Sequence, residues 1–565
     1  MAITRRELLR RAGMLGAATL IPSFTACTLT VSSGDDEVGE DTETDTESES
    51  DTTGGGDGLP EYAWEGEPGP ETIFSHGVAS GDPLADSVIL WTRVSPASPD
   101  EAVRLFFEVA VDPDFELRVA ADYIDVEATS ARDHTMKIDV DGLDPASTYY
   151  YRFYAQGRVS PVGRTRTAPA GASEHLRFAL ASCSSLAHGY FHPYRELSTR
   201  ADLDAILHVG DYIYEYGTGY YGEVREYDPP HEIVTLSDYR RRYAQYRADA
   251  ALQEAHRQHP FIVTWDDHEI ANNGWLGGAE NHTDDEGSWA ARKAAGTQAY
   301  FEWLPLREGA PGRVYRALSY GELVDLIVLD TRYEGREEQV APASDGVEAF
   351  YEDRQLLGVE QESWLLDRLA SSTGQWKILA NQIIMGQLII TPGDEGELNG
   401  FLLPDIWDGY DAARRRIFQH LIDNAIDDVV VLAGDLHISF ANELTIDPYD
   451  GYDPETGEGA VAVEFATPGI SSPASGFDAG TLALLQSLNP HNRYVAAGDN
   501  GYVTIDVTPA RLQADFWMFP PQLRESPEFA PGSFAAGWSV ASGTARLSEA
   551  GEPAPAKADP PPLAP

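Results

Sequence analysis

Cysteine is almost absent from this chain of 565 residues, which contains two of them, Cys27 and Cys183. Two cysteines cannot build a disulfide framework, and a chain of this length can bury apolar cores large enough to fold without one. If Cys27 is removed or modified, Cys183 has no partner within the chain. A lone cysteine is commonly a small buried hydrophobic residue, so a chemical role for Cys183 has to be indicated by its neighbours in the fold.

Positive charge is also scarce. Lys and Arg number 40 against 92 Asp and Glu, and the formal net charge is -52. A protein that binds a nucleic-acid duplex needs a basic face, so this composition excludes that class of partner. We interpret the acidity as a means of staying soluble in an extracellular or saline setting rather than as a determinant of substrate choice.

Long apolar runs are missing as well. The apolar stretch near the N-terminus, residues 12–21, is too short to span a bilayer. It follows residues 4–10 (TRRELLR), which have the twin-arginine pattern of an export signal. We therefore predict a twin-arginine signal in residues 1–27, which implies a periplasmic, cell-surface or secreted protein. The pathway exports folded proteins, so a metal could be inserted before export.

Residues 24–27 (FTAC) are similar to a bacterial lipobox, and a lipid on Cys27 would anchor the mature chain at a membrane surface. Cleavage near Ala26 without lipidation is the alternative. Residues 28–70 are mostly Asp, Glu, Thr, Ser and Gly, a composition too polar to form a core. They are predicted to be an acidic disordered linker, and a tether of this kind favours the lipidated form.

The folded part is predicted to contain two domains. Residues 71–168 have short strand-like runs typical of an all-β sandwich, and residues 142–151 resemble the tyrosine-corner region of a fibronectin type III-like or Ig-like domain. Residues 174–546 alternate strand and helix patterns, as in an α/β domain. The Pro- and Ala-rich residues 547–565 are predicted to be a disordered tail.

Metal-binding side chains follow four short apolar runs of the α/β part. The runs are residues 178–180 before Cys183, 205–209 before Asp211 and Tyr214, 261–263 before Asp266, Asp267, His268 and Glu269, and 429–432 before Asp435 and His437. Such runs predict buried strands, whose ends lie on one edge of a sheet, where α/β proteins bind ligands. A thiolate, a phenolate, carboxylates and imidazoles at that edge predict a site for more than one metal ion and hydrolytic chemistry.

Tyr214 indicates the kind of ion. A phenolate is a poor ligand for soft divalent ions, so it points to a hard ion such as Fe(III), while the Asp211 carboxylate can bridge two cations. A packed aromatic residue is the alternative for Tyr214. A solvated turn or a helix cap is the less favoured alternative for residues 266–269, because buried charges need a counter-ion or a metal. Asp435 and His437 point the same way in an extended chain, so they could serve neighbouring ions.

Together these segments resemble one family, the alkaline phosphatase D (PhoD) family of the calcineurin-like metallophosphoesterases. The matching segments are residues 74–83 (FSHGVASGDP), 88–93 (VILWTR), 181–184 (ASCS), 208–215 (HVGDYIYE), 265–269 (WDDHE) with Asn272 and Asn273, 329–332 (LDTR), Asn381 with Gln382, and 433–437 (AGDLH). They extend over residues 74–507, nearly all of the folded chain. The resemblance implies a four-layer αββα metallophosphoesterase sandwich preceded by the fibronectin III-like domain.

The resemblance also implies a set of metal ligands. The Asp-x-x-Tyr spacing is similar to that of purple acid phosphatases, and by this analogy the ligands of Fe3+ are Cys183, Asp211, Tyr214 and His437. Asp211 then bridges to a second site built from Asp267, Asp435 and Asn381. The family implies Ca2+ there, and oxygen ligands suit that ion. Gln382 is the alternative to Asn381.

The implied reaction is in-line attack of a metal-bound hydroxide on phosphorus, without a side-chain nucleophile. His268 is the candidate to stabilise the phosphate or to protonate the leaving oxygen. Asn273 and Arg332 are candidates to contact the phosphate, Arg332 by a bidentate fork. A salt bridge from Arg332 to Asp330 or to another acid is an equal alternative.

The pattern predicts an exported alkaline phosphatase or phosphodiesterase that hydrolyses small phosphate mono- or diesters for phosphate acquisition. Some members of the family act as phospholipases D, so membrane phospholipids are the alternative substrates. A non-catalytic surface-binding protein on the same fold is a second alternative, which the intact ligand set argues against. The long loop at residues 386–410 is expected to take part in the site, with disorder as its alternative.

Overall fold

The structure, a computed structural model, describes residues 30–31, 57–341, 345, 347–389, 403–473 and 478–565. The export signal predicted in residues 1–27, with Cys27, lies outside these ranges, as does most of the linker predicted in residues 28–70. The middle of the loop at residues 386–410 lies outside them too. Within the described ranges, no helix combines the length and the apolar character that a bilayer span requires.

The described part of the chain is a mixed α/β fold. Its α-helices are α1 (His192–Leu197), α2 (Leu236–Arg247), α3 (Ala250–Gln258), α4 (Trp289–Trp303), α5 (Gly358–Ser371), α6 (Asp411–Asp423) and α7 (Ala479–Leu488). Its strands are β1 (Thr30–Val31), β2 (Val78–Gly81), β3 (Val88–Arg93), β4 (Phe106–Ala110), β5 (Arg118–Tyr123), β6 (Thr135–Val140), β7 (Thr148–Ala155), β8 (Arg158–Val159), β9 (Gly163–Arg166), β10 (Leu176–Ala181), β11 (Ala205–Val209), β12 (Pro260–Thr264), β13 (Arg316–Tyr320), β14 (Val324–Val328), β15 (Trp376–Ala380), β16 (Val429–Ala433), β17 (Ser439–Thr445), β18 (Ala460–Ala466), β19 (Asn492–Ala496), β20 (Asn500–Val507), β21 (Arg511–Phe519), β22 (Ser533–Ala541) and β23 (Leu547–Ala550).

The described strands form an eleven-stranded, a seven-stranded and a five-stranded sheet. The first has the order β1-β6-β3-β2-β12-β11-β10-β20-β21-β22-β23 and the second β13-β14-β15-β16-β18-β17-β19. The third contains β5-β4-β7-β8, with β9 paired to β7. Strands β12, β11 and β10 are parallel in the first sheet, as are β14, β15, β16 and β18 in the second. The carboxyl ends of these strands therefore share one edge in each sheet.

The first two sheets share a core. Phe178 and Leu207 of the first sheet belong to the same cluster of buried apolar side chains as Leu326 and Val430 of the second. The first sheet also packs against α2 and α4, through residues such as Tyr243, while α5 and α6 pack against the second. Strands buried on both faces have continuous apolar sequences, which is why these segments could be predicted.

The predicted N-terminal domain is continuous with the eleven-stranded sheet. Strand β2 pairs in parallel with β12, with Ser80 opposite Pro260, so strands from residues 71–168 extend the eleven-stranded sheet. Gly81 allows this junction, because a Cβ atom there would lie 2.0 Å from the carbonyl oxygen of Pro305. The boundary predicted after residue 168 does not separate two sheets, because strands from both sides of it belong to the eleven-stranded sheet.

The tail predicted to be disordered, residues 547–565, is ordered. Its first four residues form β23, the last strand of the eleven-stranded sheet. Beyond that strand, the amide of Ala554 donates to Asp515 at 2.8 Å, and the carbonyl oxygen of Pro562 accepts from the hydroxyl of Tyr150 at 2.6 Å. The prediction of a disordered tail was wrong. A proline-rich segment has few amide hydrogens, but its carbonyl oxygens can still accept hydrogen bonds from residues far away in the sequence.

Candidate metal centre

Each predicted ligand-bearing run forms a strand, and its ligands lie just past the carboxyl end. In the first sheet, β10 leads to Cys183, β11 to Asp211 and β12 to Asp267. In the second sheet, β16 leads to Asp435 and His437. The predicted ligands therefore come from the carboxyl edges of two sheets rather than from a single edge.

The predicted ligands converge in space. Among the described residues, candidate ligand atoms lie within 4.8 Å of one another in three groups: Cys183, Asp211 and His437; Asp211, Asp267 and His268; and Asp266, Asp267 and Asp435. Asp211 and Asp267 each belong to two groups. Neighbouring ions that share a carboxylate require such an arrangement.

Four of these side chains leave the main chain from a left-handed backbone conformation. The φ angle is 60° at Cys183, 55° at Asp211, 64° at Asp435 and 59° at His437. Residues other than glycine rarely adopt this conformation, and each instance costs about 1–3 kcal/mol. Its recurrence at four residues that follow three strands indicates that the surrounding turns force these side chains towards the centre.

Tyr214 lies between two candidate ligands. Its hydroxyl donates to Asp211 Oδ2 at 3.0 Å and lies 3.2 Å from Nε2 of His437. The Ser472 hydroxyl donates to the hydroxyl oxygen of Tyr214 at 2.7 Å. Nδ1 of His437 lies 3.0 Å from the carbonyl oxygen of Pro473, so Nδ1 carries the proton and Nε2 is left as the ligand atom. Tyr214 thus contacts the other candidate ligands directly instead of only packing in the core.

The centre contains buried groups that call for positive charge. Oδ1 of Asp211 and Oδ1 of Asp267 are buried without a hydrogen-bond partner in the described part of the chain. Burial, together with the Asp267 and Asp266 carboxylates, raises the pKa of Asp211 well above its usual value. Burial and the Asp211 charge likewise raise the pKa of the Cys183 thiol. Cations would compensate these groups, so the donor set fits bound metal ions.

Arg332 is completely buried and faces carboxylates. Its Nε bonds Asp266, its Nη1 contacts both oxygens of Asp405 at 2.8 and 2.9 Å, and its Nη2 lies 3.3 Å from Asp435. Asp330 accepts the main-chain amide of Arg332 instead, at 2.9 Å. The salt-bridge alternative is therefore realised in this structure, with partners other than Asp330.

His268 is paired with Glu215. Its Nδ1 lies 2.7 Å from Glu215 Oε2, and the other oxygen of Glu215 accepts from the amide of Asn272 at 2.7 Å. Burial acts to lower the pKa of His268, but Glu215, followed by Asp267 and Asp211, raises it well above its usual value. The Glu215 charge favours the protonated imidazole, in which Nδ1 donates to Glu215 and Nε2 carries a proton that can be transferred.

Asn273 lies at the border of the centre. Its main-chain amide donates to Asp267 Oδ2 at 2.6 Å, and its side-chain amide bonds Glu280 at 2.5 Å. Its carbonyl oxygen accepts from Gln339 at 3.2 Å. The main chain of Asn273 thus supports a candidate ligand, and its predicted contact with phosphate requires the side chain to leave Glu280.

Asn381 and Gln382 differ in how many hydrogen bonds their side-chain amides make within the protein. Gln382 accepts from the hydroxyl of Thr331 at 2.7 Å and donates to that of Thr264 at 2.7 Å, so both ends hold the protein together. Asn381 Oδ1 accepts from the indole of Trp407 at 3.1 Å. An amide oxygen has two lone pairs, which leaves Asn381 with capacity for a cation.

Sequence reasoning missed the supporting roles of Glu269 and Asp405. Glu269 accepts the amides of Asp211 and Asp266 at 3.1 and 2.8 Å, so the turn-supporting alternative raised for residues 266–269 applies to this residue. Its place three residues after Asp266 was the available signal. Asp405, which binds Arg332, lies in the loop at residues 386–410 that was expected to take part in the site, but no motif marks the residue itself.

Comparison with known proteins agrees with this geometry. The family model described as PhoD-like phosphatase matches residues 178–516, and the model described as PhoD-like phosphatase, N-terminal domain, matches residues 61–169. Alkaline phosphatase D of Bacillus subtilis (strain 168) is 39% identical over 475 residues, which cover 79% of this chain and 78% of that protein. The solved "Structure of PhoD" matches with 36% identity and a TM-score of 0.77, covering 88% of this chain and 94% of the other.

The family model that matches residues 178–516 includes the ligand-bearing strands of both sheets. They do not favour a phospholipid hydrolase or a non-catalytic surface protein, the two alternatives raised by the sequence. They account for the predicted α/β class and for hydrolytic chemistry at the strand ends. The chain therefore belongs to the PhoD-like phosphatase family, and it is a phosphoric ester hydrolase homologous to alkaline phosphatase D.

Proposed function

We propose that this phosphatase acts on phosphate esters at a binuclear-type centre of Fe3+ and Ca2+. The Fe3+ ligands are Cys183, Asp211, Tyr214 and His437, and the Ca2+ ligands are Asp267, Asp435 and Asn381, with Asp211 shared. The contact of the Tyr214 hydroxyl with both Asp211 and His437 carries the proposal. A phenol beside a carboxylate favours a hard trivalent ion, and oxygen donors alone suit Ca2+.

The protein's own groups supply orientation and a proton. When bound, such ions lower the pKa of water and neutralise phosphoryl oxygens. His268, oriented by Glu215, donates the Nε2 proton to the leaving oxygen. Arg332 holds the carboxylates of Asp266 and Asp435 in place, and it contacts the phosphate together with Asn273.

We also propose that the enzyme works outside the cytoplasm in phosphate acquisition, on small phosphate mono- and diesters. The twin-arginine pattern in residues 1–27 supports export. A net charge of -52 suits a protein that has to stay soluble outside the cell. A lipid on Cys27, with residues 28–70 as a tether, would keep the enzyme at the cell surface.

The proposal includes the finer architecture, a four-layer αββα sandwich with a fibronectin III-like module in residues 71–168. The shared core of the two large sheets, with helices packed against both, supports the first part. For the module, the hydroxyl of Tyr149 accepts from the amide of Asp144 at 2.8 Å, which is the bond of a tyrosine corner.

The test is hydrolysis by metal-replete protein at alkaline pH of p-nitrophenyl phosphate and bis-p-nitrophenyl phosphate. We expect turnover of at least one ester, and inertness towards both would contradict the proposal.

Cys183→Ala is expected to lose iron and activity together. The control Ser184→Ala removes a hydroxyl that bonds Tyr194 at 2.6 Å, so it should keep both. Retention of iron and activity by Cys183→Ala would mean that the thiol only packs.

A further inference from the structure

A row of tyrosine rings extends from the centre to the protein surface. Tyr216, Tyr220 and Tyr221, here called the tyrosine shelf, lie in the segment that follows β11. Ring centroids are 4.9 Å apart for Tyr216 and Tyr220 and 5.4 Å apart for Tyr216 and Tyr221. The ring of Tyr216 also lies 5.3 Å from that of His268. The tyrosine shelf is therefore continuous with the residue proposed to protonate the leaving oxygen.

Exposure increases along this row. His268 is 9% exposed, Tyr216 and Tyr221 are half-buried, and Tyr220 is 77% exposed. A single exposed aromatic residue is common on protein surfaces and needs no explanation. Here the exposed ring is the outer end of a series of contacting rings whose inner end lies at the candidate ligands, so it offers an aromatic face to a molecule bound there.

The segment that carries the tyrosine shelf is fixed to its surroundings. The amide of Val224 donates to the carbonyl oxygen of Ala187 at 2.8 Å, and that of Thr218 donates to Pro230 at 2.9 Å. Gly222, with a φ of 88°, lies so close to Ala187 that a Cβ atom would be 2.7 Å from its main chain. A surface held in this way is preorganised, so a ligand does not have to order it on binding.

We propose that the tyrosine shelf binds a planar aromatic ring in the alcohol part of the phosphate ester and makes the enzyme select such esters over saturated ones. The inference rests on the proposed function, which places the phosphate at the ligand groups beside His268. A ring attached to that phosphate can reach Tyr216 and Tyr220 and pack in the offset or edge-to-face geometry that aromatic pairs prefer. A puckered saturated ring of similar size gains burial but not this geometry.

The test compares inhibition by benzylphosphonate and cyclohexylmethylphosphonate, which share the head group and differ in the planarity of the ring. We expect the metal-loaded enzyme to bind benzylphosphonate about fivefold more tightly, as for an aromatic pair. Tyr220→Ala and Tyr216→Leu should bring the ratio of the two inhibition constants close to unity. Trp64→Ala removes a ring that is 47% exposed, outside the tyrosine shelf, and should leave the ratio unchanged.

The outcomes separate this inference from the function on which it rests. Equal inhibition of the unmodified enzyme by the two phosphonates would contradict the proposed role of the tyrosine shelf. So would a ratio of inhibition constants that both tyrosine variants preserve. Neither result would contradict the proposed phosphatase centre. If neither phosphonate inhibited the enzyme and neither p-nitrophenyl ester were hydrolysed, both the proposed centre and the proposed role of the tyrosine shelf would be contradicted.

Discussion

Glu269 holds the main chain of Asp211, because its Oε2 accepts the amide hydrogen of Asp211 at 3.1 Å. The same oxygen accepts the amide of Asp266 at 2.8 Å, and Oε1 accepts that of Tyr212 at 2.6 Å. One buried carboxylate thus fixes two turns that end neighbouring strands and carry candidate ligands. Since Asp211 has a φ of 55°, these bonds also offset the backbone strain at that position.

Glu269→Gln is expected to lower metal content and activity together. The variant keeps the size of the side chain but replaces one acceptor with a donor, which repels the amides it has to bind. Losing such a supporting residue reduces metal affinity or activity by about 10–100-fold. Iron and calcium analysis, with kcat on a p-nitrophenyl ester, measures the effect. Glu360→Gln, at an exposed ion pair with Arg313, is the control. Full metal content and activity in Glu269→Gln would show that the turns hold without it.

Glu215→Gln is expected to move the alkaline limb of the pH–rate profile to lower pH. The Glu215 charge raises the pKa of His268, so His268 keeps its proton to higher pH than usual and loses it as pH rises through the raised value. Without that charge the proton is lost at a lower pH. Glu232→Gln, at a pair with Arg292, should leave the limb in place. If the alkaline limb of the pH–rate profile were unchanged in Glu215→Gln, His268 would not be the general acid.

Arg332→Ala is expected to destabilise the metal-depleted protein more than the metal-loaded protein. Without metal, the buried guanidinium is the counter-charge of Asp266, Asp405 and Asp435, and breaking such a buried cluster costs about 3–5 kcal/mol. Bound cations would replace part of that charge. Thermal unfolding with and without metal measures the difference.

The matched control for Arg332 is Arg313→Ala. Arg313 forms an exposed pair with Glu360, and exposed pairs contribute about 1 kcal/mol or less. If Arg332→Ala unfolded at the same temperature as Arg313→Ala, whether or not metal was bound, Arg332 would not be the counter-charge of the carboxylates.

Deletion of residues 551–565 is expected to lower Tm by a few degrees without changing the metal content. The deletion removes the bonds of Ala554 to Asp515 and of Pro562 to Tyr150, and each buried hydrogen bond contributes about 1 kcal/mol. Thermal unfolding and iron analysis of the shortened chain check both parts. An unchanged Tm would mean that the tail contributes nothing to stability.

The strands that lead to the centre could be predicted because they are buried on both faces. The apolar run at Ala205–Val209 coincides with β11, whereas the run at residues 178–180 is shorter than β10. The difference includes Arg177, a charged residue inside the strand that is buried because it pairs with Asp506 at 2.8 Å. A hydrophobic pattern cannot show an ion pair formed between residues 329 positions apart.

The candidate ligands could be predicted for a related reason, while the residues behind them could not. Cys183 and Asp211 follow neighbouring parallel strands of one sheet, whose ends converge. His437 follows β16 of the other sheet, and the sequence pattern did not show that the edges of two sheets meet. Asp405, by contrast, reaches Arg332 across 73 positions from a segment without regular structure. The order of residues 547–565 also depends on acceptors for distant donors, which composition does not show.

The central claim is that Cys183, Asp211, Tyr214 and His437 bind Fe3+. Visible absorption spectroscopy of the purified protein, combined with iron analysis, tests it most directly, because charge transfer from a phenolate or thiolate to Fe(III) absorbs visible light. We predict a coloured protein with stoichiometric iron, whose band weakens or shifts in Tyr214→Phe. The band should persist in Tyr212→Phe, since that hydroxyl bonds His256 at 2.9 Å. A colourless, iron-free and fully active enzyme would contradict the claim.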